Sequence, residues 1–171
     1  MPEVDVTKDE ILAHLSEVKD PEVPVLDVVE MGIVRDVRVE GNTLHVDITP
    51  TYSGCPAMKA IADEIVRTLH ERGFPKVEVH TVFREAWTTD WMTEAARRKL
   101  RAYGIAPPPE RAGEANPGMI PLTTVAVPKP VPCPFCGSED TRLTSAFGAT
   151  PCKSLHFCNA CRQPFEHFKG I

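Results

Sequence analysis

Long apolar runs are missing from these 171 residues. No stretch approaches the roughly 20 consecutive apolar residues of a transmembrane helix, so the sequence predicts no membrane span. A secretory leader is not visible either: the opening residues, MPEVDVTKDE, are acidic and polar where a leader is basic and then apolar. Positive charge is scarce in every segment. Residues 1–105 carry 13 basic and 19 acidic side chains, residues 106–132 two of each, and residues 133–171 four basic and three acidic. A nucleic-acid-binding module needs a basic face that neutralises phosphates, and Arg142, Lys153, Arg162 and Lys169 are too few and too scattered to make one. Internal repeats are absent. His14, His45, His70 and His80 show no mutual metal-ligand spacing and are read as surface or packing residues. Six cysteines without a leader point to a reducing compartment, hence the cytoplasm, and to thiol or metal chemistry rather than disulfides.

With 42% hydrophobic and 25% charged residues, the chain is an ordinary soluble protein with room for one medium domain and one small one. Its strongest chemical signal lies near the C-terminus. Cys133 and Cys136 form one Cys-x-x-Cys pair, Cys158 and Cys161 another, with twenty-one residues between the pairs. Each knuckle turns two thiolates toward one point, and two knuckles supply the closed tetrahedral sulfur shell of structural Zn2+. Rubredoxin-like iron is the alternative, because sulfur ligands alone do not choose the metal. A thioredoxin-like redox role needs only one pair, in the turn from a strand to a helix. From Cys133 to Ile171 there are thirty-nine residues, a size at which a chain seldom buries enough surface to fold unaided. Metal binding supplies about 10 to 16 kcal/mol to such a unit, so metal and fold are expected to form together. A closed four-cysteine shell leaves no position for substrate, which makes this metal architectural.

Residues 106–132 hold eight of the seventeen prolines and no aromatic residue, the composition of an extended, semi-rigid linker. Within it, LTTVAV at 122–127 could form an edge strand on either lobe. Residues 1–105 read as α/β. Thr7-Lys8-Asp9-Glu10 is a capping-box pattern ahead of Ile11, Leu12, Leu15 and Val18, so a helix starts there and ends before Asp20-Pro21. Arg35 to Val39 and Leu44 to Ile48 alternate apolar and polar residues around Glu40-Gly41-Asn42-Thr43, a β-hairpin. Met58, Ile61, Ala62, Ile65, Val66 and Leu69 have helical spacing up to Gly73, Lys76 to Phe83 is a third strand, and a last helix ends at Tyr103-Gly104. The predicted fold is α+β: a small α-β-β-α-β sheet domain with both helices on one face over 1–105, a Pro-rich linker over 106–132, and a zinc ribbon over 133–171.

Between the second strand and second helix, Thr49-Pro50-Thr51-Tyr52-Ser53-Gly54-Cys55-Pro56 places a lone cysteine where the helix begins. Pro56 suits the first helical position, so Cys55 lies beside unpaired backbone N–H groups and the positive end of the macrodipole, both of which favour a thiolate. Gly54 admits close approach to the backbone, and Thr51 and Ser53 add hydroxyls. The other reading makes Cys55 a small buried residue filling a turn. Asp20-Pro21-Glu22 is a turn starter, with the alternative that Asp20 or Glu22 supplies a carboxylate near Cys55. Trp87 and Trp91, four apart, are expected on one apolar helix face, and Arg97, Arg98, Lys99 and Arg101 on a solvated helix terminus. Cys152 is spare after the zinc is satisfied. Beside Lys153 it is either an exposed, activated thiol or a residue packed against the ribbon hairpin. With four cysteines present, His156 and His167 are not needed as ligands.

The runs DPEVPVLDVVEMGIVRDV, TPTYSGCPAM and WTTDWMTEAARRKLRAYGIAPP resemble the iron-sulfur assembly-associated domain family that includes SufT-like proteins. Joined to the ribbon CPFCGSEDTRLTSAFGATPCKSLHFCNACRQPFEHFK, they resemble more closely the family of D subunits of the bacterial phenylacetyl-CoA epoxidase (phenylacetate-CoA oxygenase) system, whose C-terminal extension is a zinc ribbon. The resemblance implies an accessory maturation factor in aerobic phenylacetate catabolism that helps assemble an iron-sulfur cluster or other iron centre in the reductase or the oxygenase. A structural subunit that stabilises the oxygenase without handling metal is the alternative. It implies as partners the oxygenase and reductase subunits and the iron-sulfur assembly machinery, with no nucleic acid and no membrane, and structural Zn2+ plus transient iron or a cluster as metals. Carried onto this chain, it assigns iron or cluster handling to Cys55, Asp20 and Thr51. One thiolate holds a cluster weakly, since stable clusters are usually held by four. Two protomers sharing Cys55 in a homodimer, or Cys55 meeting Cys152 across the linker, would raise the ligand count. No histidine is placed by local spacing as a base for Cys55, so no catalytic constellation is assigned and an enzyme is not expected.

Overall fold

A computed structural model of the chain describes residues 6–109 and 129–170. These form two compact units, one up to Lys99 and one from Leu100 to Gly170. Of the Pro-rich linker, residues 110–128, and with them the suggested strand at 122–127, lie outside the described residues. No described helix is long and apolar enough to cross a membrane.

In the first unit, helix α1 (Lys8–Leu15) begins as the capping box predicts. The Glu10 N–H donates to the Thr7 hydroxyl at 3.3 Å, and the Thr7 N–H donates back to the Glu10 carboxylate at 2.9 Å. Ile11 and Leu15, four apart, bury completely. Strands β1 (Val34–Glu40) and β2 (Thr43–Ile48) form the antiparallel hairpin, turning at Gly41, whose φ is +62°. Helix α2 (Ala57–Glu71) crosses back, and β3 (Val77–Thr81) adds in parallel to β2, giving the sheet order β1-β2-β3. Leu44, Val46 and Ile48 point into the core with Ile61, Ile65 and Leu69 of α2, each at most 2% exposed. Burying each such side chain is worth about 1.5–3 kcal/mol. The period of two along β2 then sends His45 and Asp47 to the opposite face of the sheet. The α+β class and the α-β-β-α-β order are those the sequence pattern implies.

Three local expectations change. Trp87 and Trp91 do not share a helix face: Trp87 precedes a single 3-10 turn, Thr89–Trp91, and buries to 3% exposure with its indole N–H donating to the Met31 carbonyl at 2.9 Å. Trp91 carries the Arg35 guanidinium over its ring, 3.5 Å from the centroid. Gly32, at φ +72°, passes so close to Trp91 that a Cβ there would lie 2.7 Å from the Trp91 Cβ. Helix α3 (Glu94–Tyr103) spans the division between the units, and its cations are not a purely solvated terminus. Lys99 pairs with the buried Glu30 at 2.7 Å, and Arg97 donates to the Thr89 carbonyl at 2.9 Å.

The second unit is a four-stranded sheet in the order β4-β7-β6-β5, built from β4 (Ile105–Ala106), β5 (Thr141–Ser145), β6 (Lys153–Cys158) and β7 (Pro164–Phe168). Ile105–Ala106 lies where the sequence reading passes from first lobe to linker. In the structure these two residues pair in parallel with Glu166 and His167 of β7. One buried cluster of this unit joins Ala106, Cys133, Cys158 and Phe165, with Val131 and Cys161 packed against it, and Ile105, Cys152 and Phe168 are buried as well. Two of the cluster's four buried members are cysteines of the knuckles.

Candidate functional site

The two knuckles are built alike. In the first, the Cys133 N–H donates to the Ser138 carbonyl at 2.9 Å and the Gly137 N–H to the Cys133 carbonyl at 2.9 Å. In the second, the Cys158 N–H donates to the Gln163 carbonyl at 2.9 Å and the Arg162 N–H to the Cys158 carbonyl at 3.0 Å. The residue after each second cysteine is left-handed, Gly137 at φ +75° and Arg162 at φ +64°. Cys133 and Cys158 are buried, Cys161 half-buried and Cys136 exposed, so one edge of the cluster reaches the surface. The four Sγ atoms lie within 4.8 Å of one another. Cys133 and Cys161 sulfurs are 3.7 Å apart, Cys136 and Cys158 sulfurs 3.6 Å. With Zn–S near 2.3 Å, the edge of a tetrahedral tetrathiolate is about 3.8 Å, so these sulfurs fit a closed shell. The backbone N–H of Cys161 holds Cys158 down to about 7, while burial and the neighbouring Cys158 push Cys161 up to about 12. A divalent cation is what allows all four to ionise together.

His156 and His167 stand apart from this cluster, each within reach of Ser154, at 3.1 and 3.4 Å. Burial keeps both rings neutral and lowers His167 to about 4. Cys152 is 5% exposed and contacts the Thr150 hydroxyl at 3.0 Å. The adjacent Lys153 is itself buried and paired with Glu166 at 2.7 Å, so the exposed-thiol alternative gives way to packing against the ribbon.

On the first unit, the loop from β2 to α2 turns at Tyr52–Cys55, where the Cys55 N–H donates to the Tyr52 carbonyl at 3.1 Å. Pro56 caps α2 one residue earlier than its expected place inside the helix, and Cys55 stands half-buried just before it. The Asp20 loop folds beside it. Asp20, 5% exposed, accepts from the Glu22 N–H at 2.7 Å and the Val23 N–H at 2.9 Å, while its own N–H donates to the Leu26 carbonyl at 2.9 Å. This is the turn chemistry expected of Asp before Pro, and it holds the carboxylate within electrostatic reach of the thiol. Burial pushes the Cys55 thiol up, helped by the charges of Glu22 and Asp20 and opposed by hydrogen bonds from the Ala57 N–H and the Thr51 hydroxyl. The helix terminus therefore does donate to the sulfur, yet the net direction is the reverse of the expected activation. The Thr51 hydroxyl hydrogen-bonds the Cys55 sulfur, and the Asp20 and Glu22 carboxylates lie within electrostatic reach of it, though Cys55, Asp20 and Glu22 do not form a group with ligand atoms within 4.8 Å of one another. Ser53 and Gly54 are exposed, and a Cβ on Gly54 would meet only the Tyr52 ring, at 3.9 Å, so the loop is open from outside.

One convergence escapes local spacing. The Nδ1 of His45, the Nε2 of His80 and a carboxylate oxygen of Glu78 come together on the open face of the sheet. Those residues lie on β2 and β3, which the chain joins only through α2, and no sequence interval reports a parallel register.

An α-β-β-α-β domain with a cysteine at the start of its second helix, followed by a four-cysteine ribbon, defines a class: iron-sulfur assembly domain plus zinc ribbon. Residues 8–82 match the iron-sulfur cluster assembly protein family and residues 120–169 the PaaD zinc beta ribbon domain. The chain belongs to the family of phenylacetyl-CoA epoxidase D subunits. It is 44% identical over 162 residues, 95% of this chain and 92% of the other, to the Escherichia coli (strain K12) protein assigned as the D component of 1,2-phenylacetyl-CoA epoxidase. The first unit alone resembles the Fe-S protein maturation auxiliary factor YitW of Bacillus subtilis, 38% identical over 54% of this chain and 92% of that protein. Its fold matches a crystal structure of a domain of unknown function, DUF59, from Bacillus anthracis, with a TM-score of 0.51 and 28% identity, covering 54% of this chain and 90% of that one.

Proposed function

We propose that this chain is an accessory maturation factor of the phenylacetyl-CoA epoxidase complex, in which the first unit handles iron or an iron-sulfur cluster as cargo at Cys55 and the zinc ribbon docks the client. The Thr51 hydroxyl at the Cys55 sulfur, with Asp20 and Glu22 within electrostatic reach, supports the reading. A thiolate suits iron and cluster sulfur chemistry, and carboxylates and a hydroxyl complete a site that binds loosely enough to release. The raised proton affinity of Cys55 fits a carrier: an incoming cation displaces the thiol proton and is screened by two carboxylates. The clients are the reductase or oxygenase subunits. Zinc held by Cys133, Cys136, Cys158 and Cys161 is architectural in this scheme. Further support comes from the pairing, on one chain, of a region similar to Fe-S maturation factors with a ribbon of the epoxidase D-subunit type.

Cys55→Ser is the decisive variant. The protein should keep its fold and its zinc while reductase and oxygenase produced with it lose iron and activity at least tenfold. Metal analysis of anaerobically purified wild-type and variant chains separates the ribbon zinc from labile iron. Clients that carry full metal and full activity alongside the variant would sink the proposal. If the variant instead co-purifies stoichiometrically with a fully metallated complex, the protein is a structural subunit.

A further inference from the structure

We infer that the open face of the first unit's sheet carries a second metal site, formed by His45, Glu78 and His80, for a divalent first-row transition ion that accepts nitrogen and oxygen ligands. The three candidate ligand atoms form one triangle. His45 Nδ1 stands 3.1 Å from His80 Nε2 and 3.5 Å from the Glu78 carboxylate, and His80 Nε2 stands 3.7 Å from the same oxygen. With metal–ligand bonds of about 2.0–2.1 Å, the edges of a tetrahedral site are about 3.3 Å, so the spacing of the triangle suits a cation once the two rings turn from each other toward it. Register supplies the placement. His45 is directly opposite Glu78 in the β2–β3 ladder, and His80 follows two residues later on the same face.

The surroundings suit a cation. His45 is 15% exposed at its side chain and its other ring nitrogen lies 4.0 Å from the Glu40 carboxylate, the position in which a ligating imidazole commonly finds an outer acidic partner. Asp47, across the ladder from His80, is 3% exposed, and its Oδ1 is the one buried side-chain oxygen without a partner among the described residues. Arg38 is the neighbouring cation, and it is engaged with Asp47 at 2.8 Å and Glu40 at 3.1 Å. The two rings are near-parallel, 14° apart with centroids at 5.4 Å, and their nitrogens face each other at 3.1 Å, so an entering cation displaces the proton shared between them. Two histidines and one carboxylate leave an open fourth position, the arrangement of an exchangeable or reactive site rather than a closed structural one. None of its ligands belongs to the Cys55 loop, so the inference stands independently of the maturation role.

The full chain with one equivalent of zinc in the ribbon is titrated with further Zn2+ against a chromophoric chelator. A second equivalent should bind, with the imidazole signals of His45 and His80 shifting in step. H45Q/H80Q should weaken the equivalent that moves those imidazole signals at least tenfold, and Glu78→Gln less. Should the double variant fail to fold, H80Q alone, at a 42% exposed side chain, reads the same loss. Binding that stops at one equivalent, that leaves the imidazole signals unmoved, or that survives H45Q/H80Q or H80Q undiminished overturns the site and leaves a hydrogen-bonded histidine pair. Client metal loading does not enter the titration, so failure of this site and failure of the Cys55 proposal are separate results.

Discussion

The ribbon cluster and the Cys55 loop are two ways of placing a cysteine sulfur. In the ribbon, each pair of ligands comes from one knuckle whose backbone hydrogen bonds lie within six residues, and two of the sulfurs are also half of one buried cluster of the unit. Ligand geometry and core are the same atoms, so losing the ion means losing the fold. Around Cys55, a single thiol lies within electrostatic reach of acids thirty-three and thirty-five residues earlier, and the surrounding core of Ile11, Leu15, Leu44, Val46, Ile61 and Ile65 closes without help from the sulfur. One site is committed to stability; the other, in the proposed role, is free to load and unload.

Breaking the first site should produce the largest effect in the molecule. Cys158→Ser, or stripping with a strong chelator, removes a term of about 10–16 kcal/mol from a unit whose total stability is expected within about 5–15 kcal/mol. The amide signals of residues 129–170 should collapse to the unfolded range while those of residues 6–99 keep their positions. Persistence of a folded ribbon under those conditions would show that Phe165, Phe168 and their neighbours form a sufficient core on their own. By contrast Cys55→Ser should move thermal stability by no more than about 1 kcal/mol, within the range of ordinary substitutions.

The same contrast explains what was legible in the residues. Both knuckles, the Thr7–Glu10 capping box, the hairpin around Gly41 and the cysteine ahead of α2 are local patterns, and local patterns survive being read one residue at a time. Asp20 shows why the rest did not. Its turn role is written in Asp20-Pro21, but its proximity to Cys55 depends on how the loop closed by Asp20 and Leu26 lies against the β2–α2 turn. His45, Glu78 and His80 require the parallel register set after α2, and Ile105–Ala106 reads as the edge of a linker until β7 offers it hydrogen bonds. Trp87 and Trp91 fit helical spacing yet are split by the 3-10 turn, because Trp91 packs over Gly32 and Trp87 reaches Met31.

A smaller effect tests how the carboxylates set the Cys55 thiol. Raised proton affinity means less thiolate at neutral pH, so alkylation of Cys55 should be slow there and rise with pH toward a midpoint above the ordinary thiol value of 9.0. Asp20→Asn keeps an oxygen for the Glu22 and Val23 N–H groups but removes the charge, and Glu22→Gln removes the other. Each should shift the alkylation midpoint to lower pH, and the double variant further, with the Thr51 and Ala57 hydrogen bonds then outweighing what remains of the acids. Burial is the largest contribution, so the midpoint should stay above that of an exposed thiol at a helix N-terminus. Mass-spectrometric rates at Cys55, with the ribbon thiols protected by zinc, give the profile. A midpoint that ignores both substitutions would place the carboxylates out of electrostatic contact with the sulfur.

The smallest expected effect separates the two knuckles themselves. Gly137 and Arg162 occupy equivalent left-handed positions, and a non-glycine residue there costs roughly 1–2 kcal/mol. A Cβ on Gly137 would meet nothing within 4 Å, so Gly137→Ala introduces backbone strain alone and should cost about 1 kcal/mol in the ribbon's stability. Arg162→Gly relieves the strain in the second knuckle, but it also removes a guanidinium lying 6.0 Å from the centre of the Phe157 ring and adds conformational freedom to the unfolded chain. Those opposing contributions should leave Arg162→Gly within about 0.5 kcal/mol of the parent, measured by zinc-competition melting at fixed free metal. If Arg162→Gly costs as much as Gly137→Ala, the lost Arg162 side chain and the added chain freedom outweigh the relieved strain by about 1 kcal/mol, and the asymmetry between the knuckles lies in Phe157 and Arg162 rather than in the turns.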